Sequence, residues 1–281
     1  MRTLKTLLPL LGLAAACFFH SCSKSTSTVT KTVTDTLTVT DTVAPILPNY
    51  ADSIKKGEWA YFNFDNNTTD QTGNNHGITL ENGAVLDTDI WGNPNAALGF
   101  NGTNSYAVID SGINFPEGDF SVSFLMLSRN LSGRIFQKAD YNNGYGATWG
   151  FEFDNSLALA YNNLAFYVDS ATDVCNETTQ SGNSEYMYLS QEITTYSWYY
   201  VTCLYTKGNE KVYLNGQLAD SNYIGSAATL TNCSNSPIYF GMWWLSDIRP
   251  FYGVLDEIRI HTRALTLPEI KYLANDALTQ P

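Results

Sequence analysis

Basic residues are scarce in this chain of 281 residues: 15 Lys and Arg stand against 27 Asp and Glu, a net charge of −12. Such a surface repels phosphate backbones and anionic lipid, which argues against nucleic-acid binding. Cysteine numbers only 5, and no Cys-x-x-Cys pair occurs, which argues against a zinc site. No Gly-rich loop follows a strand and opens a helix, so a phosphate cradle is missing. No internal repeat appears, which argues against a propeller or solenoid. The apolar run Leu7–Phe19 has 13 residues and is too short to span a bilayer. What remains is a chain low in charge (15%) and rich in Tyr, Asn, Thr and Ser, the composition of an extracellular β protein.

Residues 1–21 read as a targeting signal, with Arg2 and Lys5 before the apolar run. The run ends in His20-Ser21-Cys22, which resembles a bacterial lipoprotein signal whose acylated Cys22 becomes the new N-terminus. Plain secretion with ordinary cleavage is the competing reading. Removing residues 1–21 takes away Arg2 and Lys5 and deepens the net charge to −14. Residues 22–57 are rich in Ser, Thr and Val, with Thr-Val-Thr-Asp-Thr at Thr32–Thr36 and again at Thr38–Thr42. They read as a solvated tether that holds a domain off a membrane. Triplets such as Asp35-Thr36-Leu37 resemble O-glycosylation sites of exported Bacteroidetes proteins. The expected location is therefore the outer membrane, lipid-anchored, facing the cell surface.

From residue 58 to 276 short alternating segments are separated by Gly, Asn, Asp and Ser clusters, among them Phe120–Leu127, Trp149–Phe153 and Trp198–Tyr205. At least ten strands and one terminal helix predict an all-β, two-sheet antiparallel jelly-roll sandwich. Asn215-Gly216 marks a tight hairpin turn. Thr266 and Glu269 have capping-box spacing, with Pro268 in the first turn of the last helix. In the strand before it, Val254, Asp256, Ile258 and Ile260 are expected on one face. A lone acid on an apolar face needs a partner. Cys203 shares its face with Val201 and Tyr205 and reads as buried. Cys175 and Cys233 lie in polar surroundings, where an oxidising compartment permits a bridge between them or leaves both free.

Five blocks in order resemble the LamG-like jelly-roll family, a branch of the concanavalin A-like lectin/glucanase sandwiches. They are Tyr61–Asp65, Asp70–Gly77, Leu98–Gly102, Trp198–Tyr205 leading to Val212–Gly216, and Gly253–Leu265. The resemblance implies two stacked antiparallel sheets. It also implies one structural calcium ion held by Asp70 and Asp256. Asp65 offers a third hard oxygen ligand. The alternative is that these acids accept backbone N–H bonds and close turns.

Glucanase relatives carry Glu-x-Asp-x-x-Glu, because retaining hydrolysis needs two carboxylates about 5 Å apart. Here Glu152-Phe153-Asp154-Asn155-Ser156-Leu157 lacks the second Glu, so no enzyme is expected. Two loop-like stretches have the composition for sugar stacking and hydroxyl pairing: Asp140–Trp149, with Tyr141, Tyr145 and Trp149, and Gly241–Asp247, with Trp243 and Trp244. Core packing is the competing role for these rings. The expected function is a non-catalytic, surface-tethered glycan-binding module whose partner is an oligo- or polysaccharide or a surface glycoprotein. A surface adhesin or scaffold that binds another protein is one alternative, and a glycoside hydrolase with atypical carboxylates is the other. Chelation tests the metal: if Asp256 holds Ca²⁺, EDTA lowers the melting temperature of the wild type but not of Asp256→Ala. An unchanged wild-type melt makes Asp256 a hydrogen-bonding residue.

Overall fold

The computed structural model describes residues 50–109, 115–139, 147–154, 164–169, 184–225, 230, 236–243 and 248–280. Cys22, Cys175, Cys233, Tyr141, Tyr145 and Trp244 lie outside them, as does the tether up to residue 49. The described residues open with a short helix α1 (Ala51–Ile54), then β1 (Glu58–Phe62), β2 (Ile78–Glu81), β3 (Val85–Asp87), β4 (Ala97–Asn101) and β5 (Tyr106–Ile109). There follow β6 (Phe120–Ser128), β7 (Gly133–Ala139), β8 (Ala147–Phe153), β9 (Leu164–Asp169) and β10 (Ser184–Tyr188). The last elements are β11 (Trp198–Thr206), β12 (Asn209–Leu214), β13 (Gln217–Tyr223), β14 (Ile238–Phe240), β15 (Tyr252–His261) and helix α2 (Leu267–Thr279).

These strands make two antiparallel sheets. Sheet A runs β13-β12-β11-β6-β15-β4-β3, with β1 also on β15; sheet B runs β10-β9-β8-β7-β14-β5-β2. Alternation builds the core between them. In β6, Phe120, Val122, Phe124 and Met126 point inward, and in β8 Trp149, Phe151 and Phe153 do so. Cys203 lies in this core and is unbridged. One cross-strand row of sheet B reads Met187, Phe166, Phe151, Phe136 and Phe240. Its rings pack edge-on and stacked, as Phe136 does against Phe151 at 6.1 Å and Phe124 at 5.5 Å.

A second, smaller core lies on the outer face of sheet A. Leu125, Tyr200, Leu204 and Tyr213 pack there against Ile270, Leu273 and Ala274 of α2 and Ile54 of α1. Residues 50–57 thus belong to the folded domain and not to the tether, and α2 runs past 276 to Thr279. The sequence hid this because one turn of helix with a single apolar residue carries no periodicity. The imidazole Nε2 of His261 sits 2.9 Å from the Ile54 carbonyl. Burial lowers its pKa to about 4. Asn215 and Gly216 both adopt positive φ (51° and 75°), which forms the expected hairpin turn between β12 and β13.

The capping box is present: the Thr266 N–H donates to Glu269 Oε2 at 2.8 Å. Glu269 also receives both Nη atoms of Arg263, at 2.9 and 2.8 Å, and the Ser53 hydroxyl. Burial opposes ionisation of this carboxyl, but the bonds from Arg263, Ser53 and Thr266 prevail and hold its pKa at about 2. The carboxylate therefore clips α1, α2 and the end of β15 together. Glu269→Gln should destabilise the domain by about 1.5–3 kcal/mol at pH 7 in denaturant unfolding. A depressed folded pKa stabilises above the ordinary carboxylate range and is lost as pH falls towards 2, so the difference should shrink at pH 3. An equal penalty at both pH values would contradict this clip.

Candidate functional site

The outer face of sheet B carries polar groups that a simple solvent face would not bury. In β8, Gly150 and Glu152 alternate with the core rings, and Asp154 follows. Two cross-strand rows result. The first reads Tyr186, Tyr167, Gly150, Gln137; the second reads Tyr188, Ala165, Glu152, Arg134. The small residues matter. A Cβ on Gly150 would stand 2.6 Å from the Tyr167 hydroxyl, so glycine lets that ring lie across the sheet. Tyr167 thereby donates to Gln137 Oε1 at 3.3 Å. Tyr186 stacks on Tyr167 at 5.0 Å, Tyr188 stacks on Tyr186 at 6.0 Å, and the Tyr188 hydroxyl donates to Asp154 Oδ2 at 2.8 Å.

At the centre Arg134 and Glu152 form an ion pair in which each side chain is only 2% exposed. The guanidinium lies 5.2 Å from the Tyr167 ring and 4.5 Å from Trp243, while Arg249 lies 3.9 Å from the same Trp243 ring. Gln137 donates to the Trp243 carbonyl. Arg134 Nη1 is buried and donates to no described residue, and Glu152 Oε1 is buried and accepts from none. A buried ion pair is often no more stable than apolar residues of the same volume, and each unmet polar atom costs roughly 1–3 kcal/mol. Burial and the nearby Asp154 raise the Glu152 pKa to about 7 against the pull of Arg134 and Arg249. The arrangement offers ring faces, hydroxyls, an amide and opposed charges: groups that match a hydroxyl-rich ligand.

A second feature lies on the outer face of sheet A. Strand β15 pairs with β4 through Leu255 and with β1 from Ile258 onward, and a bulge falls at the change of partner. Glu257 there has φ 51°, an unusual left-handed conformation for that side chain. Leu255, Ile258 and Ile260 face the core, whereas Asp256 sits opposite Leu125 on the outer face. The expected grouping of Asp256 with Ile258 and Ile260 is therefore wrong: the bulge inserts one residue and inverts the alternation. Asp256 looks into a cleft of about 280 Å³ shared with Asn63, Asp65, Asp89 and Trp91. Burial first, then Glu257, Asp89 and Asp65, push its pKa to about 9, against the bond its Oδ1 accepts from the Glu257 N–H.

The Laminin_G_3 family model, described as the concanavalin A-like lectin/glucanases superfamily, matches residues 101–271. The chain belongs to the concanavalin A-like lectin/glucanases superfamily. No match was found among curated proteins. Among solved structures, domain 4 of AbnA, an extracellular GH43 arabinanase from Geobacillus stearothermophilus solved with arabinotriose, is 22% identical. The likeness covers 77% of this chain and 98% of that domain, at a TM-score of 0.58. The binding domain of botulinum neurotoxin DC, solved with rat synaptotagmin II, is 17% identical over 80% of this chain and 53% of its own length, at 0.58. A botulinum neurotoxin type C structure concerned with two ganglioside molecules is 18% identical over 80% and 52%, at 0.56. At these identities the likeness shows the fold: a two-sheet jelly roll with a short C-terminal helix.

Within this superfamily member, the sequence-predicted residues scatter. Trp149 is corrected: it is fully buried on the core face of β8, stacked 4.6 Å from Phe120, because odd positions of that strand point inward. Trp243 joins the sheet B cluster. Asp70 is engaged by its own loop, accepting the N–H groups of Tyr61 (3.2 Å), Thr72 (3.0 Å) and His76 (3.1 Å). Asp65 and Asp256 share the cleft without it. No group of three or more His, Cys, Asp or Glu among the described residues is placed to hold a metal ion, so the expected trio does not assemble. Arg134, Gln137, Tyr167, Tyr186, Tyr188, Asp89 and Trp91 were not singled out from sequence. The available signal was Arg134, Gln137 and Lys138 beside the apolar Ile135-Phe136 pair of one strand. Trp149→Ala should lower stability by about 3–5 kcal/mol in denaturant unfolding, as a core cavity does; a mild loss would return the ring to the surface.

Proposed function

We propose that residues 50–280 form a non-catalytic glycan-binding module whose sugar sits on the outer face of sheet B. The observation that carries this reading is the Arg134–Glu152 pair, buried among tyrosine rings with one polar atom of each partner unmet. That arrangement has no use for stability alone and suits a ligand that brings hydroxyl groups and a C–H face. Tyr186 and Tyr188, both partly exposed, form the accessible rim. Solved relatives of the fold bind arabinotriose and concern gangliosides, which supports a sugar as the ligand class. Glu152 is held by Arg134, and Leu157 stands where the glucanases carry their second Glu, which supports a binding role over hydrolysis. A lipid on Cys22 would display the module at the surface of a bacterial outer membrane.

A second reading, attachment to a protein, has its own support. Edge strand β13 exposes Leu218 (53%) and Tyr223 (59%), and a neurotoxin relative is bound to synaptotagmin II. A glycan array on the soluble chain decides between them. Binding should appear for at least one polysaccharide, and Tyr186→Ala or Tyr188→Ala should weaken it by about 1–3 kcal/mol, by analogy with ring stacking on bases. No binding across the array, or binding untouched by both variants, sinks the sheet B reading. Sugar release on incubation would make the protein a hydrolase.

A further inference from the structure

We propose that the cleft beside the β15 bulge is a second, separate ligand site that takes an amine-bearing sugar, its ring against Trp91 and its ammonium group among Asp65, Asp89 and Asp256. Four observations meet here. Trp91 is 41% exposed and has no ring partner among the described residues. Its loop is nevertheless fixed, because Asp89 Oδ1 accepts the N–H groups of Trp91 at 2.9 Å and Asn93 at 2.7 Å. Asp256 is only 5% exposed, yet among the described residues its Oδ2 has no hydrogen-bond partner and no cation pairs with it. Asn63 Oδ1, in the wall of the same cleft, is buried without a partner.

Charge selects the ligand. Asp65, Asp89, Asp256, Glu257 and Asp276 line the cleft against one cation, Arg259. That cation is already held by Glu58 at 2.7 Å and Glu257 at 3.3 Å. An ammonium group would relieve the excess and give the second oxygen of Asp256 a donor, while an indole face favours both cations and sugar C–H faces. Size selects a sugar. The cleft of about 280 Å³ lies at the low end of small-ligand pockets. It adjoins one of about 560 Å³ that shares Tyr61, Arg259 and Asp276, so an oligomer has room to continue.

Calorimetry on the soluble chain with a glucosamine oligomer and its N-acetylated counterpart tests the assignment. The free-amine oligomer should bind about tenfold more tightly or better, and Trp91→Ala and Asp256→Asn should each weaken it by a similar factor. Asp65→Asn, at an exposed position, serves as the acid variant if Asp256→Asn perturbs the fold. Tyr186→Ala should leave this binding unchanged, which keeps its outcome distinct from that of the sheet B site. Equal affinity for the two oligomers overturns the proposal. So does binding that survives both Trp91→Ala and Asp65→Asn. A lysine peptide that binds where the amino sugar does not overturns it too. Finally, a melting temperature raised by Ca²⁺ and by no amine would assign the cleft to a metal ion instead.

Discussion

Each strand sends every second side chain to the opposite face. In this domain the central strands of both sheets are covered on both faces, while edge strands such as β13 stay exposed. One face of each sheet meets the shared apolar core. The other face of sheet A carries α2, and the other face of sheet B carries the arginine–tyrosine cluster. Strict alternation therefore leaves few positions free to be ordinary solvent-facing residues. Ser121 shows the consequence: pointing away from the core in β6, it is still fully buried, donating to the Arg263 carbonyl at 2.8 Å and accepting from the Leu265 N–H at 2.9 Å. A polar side chain on an outer face here is a structural joint or part of a site.

The bulge in β15 breaks this alternation, as register shifts between β7 and β8 and between β12 and β13 do elsewhere. It allows a single strand to pair with β4 at one end and β1 at the other without a clash in register. It also turns Asp256 away from the core, where its carboxyl would meet only hydrocarbon, and into the cleft beside Trp91. Tyr61 steadies the strained turn: its hydroxyl lies 2.9 and 2.8 Å from the two carboxylate oxygens of Glu257, and its ring lies 3.4 Å under the Arg259 guanidinium. Backbone strain persists only where surroundings over-determine it, and this network supplies that hold.

The fold was legible in the sequence because its signals are local. β5 and β14 follow from apolar runs between turn residues, and α2 from its capping box and Pro268. β2, β3, β10 and β13 are not among the strands singled out from sequence. β13 is an edge strand whose side chains are largely exposed, so it has no buried face to create a pattern. β10 owes its order to pairing with β9 more than to its own apolar content. The sites were less legible for a related reason. Trp149 and Trp243 look alike in sequence, but one residue of strand parity sends the first to the core, and position beside Arg134 brings the second to the cluster. The bulge at Glu257 left no mark either, since no glycine announces its positive φ.

The two candidate sites occupy opposite outer faces, with the full apolar core between them, and no side chain belongs to both. This separation follows from the architecture: the cluster is built on β7, β8, β9 and β10, the cleft on β1, β15, α2 and the loops around Asp65 and Trp91. Their electrostatics differ accordingly. Arg134 and Arg249 balance Glu152 and Asp154 on sheet B, whereas the cleft keeps its acids uncompensated because Arg259 is already held by Glu58 and Glu257. Distant sites without shared partners act additively. A substitution on one face should thus leave the other face's binding energy alone, and the apolar layer between them makes the two ligand preferences separable traits of one domain.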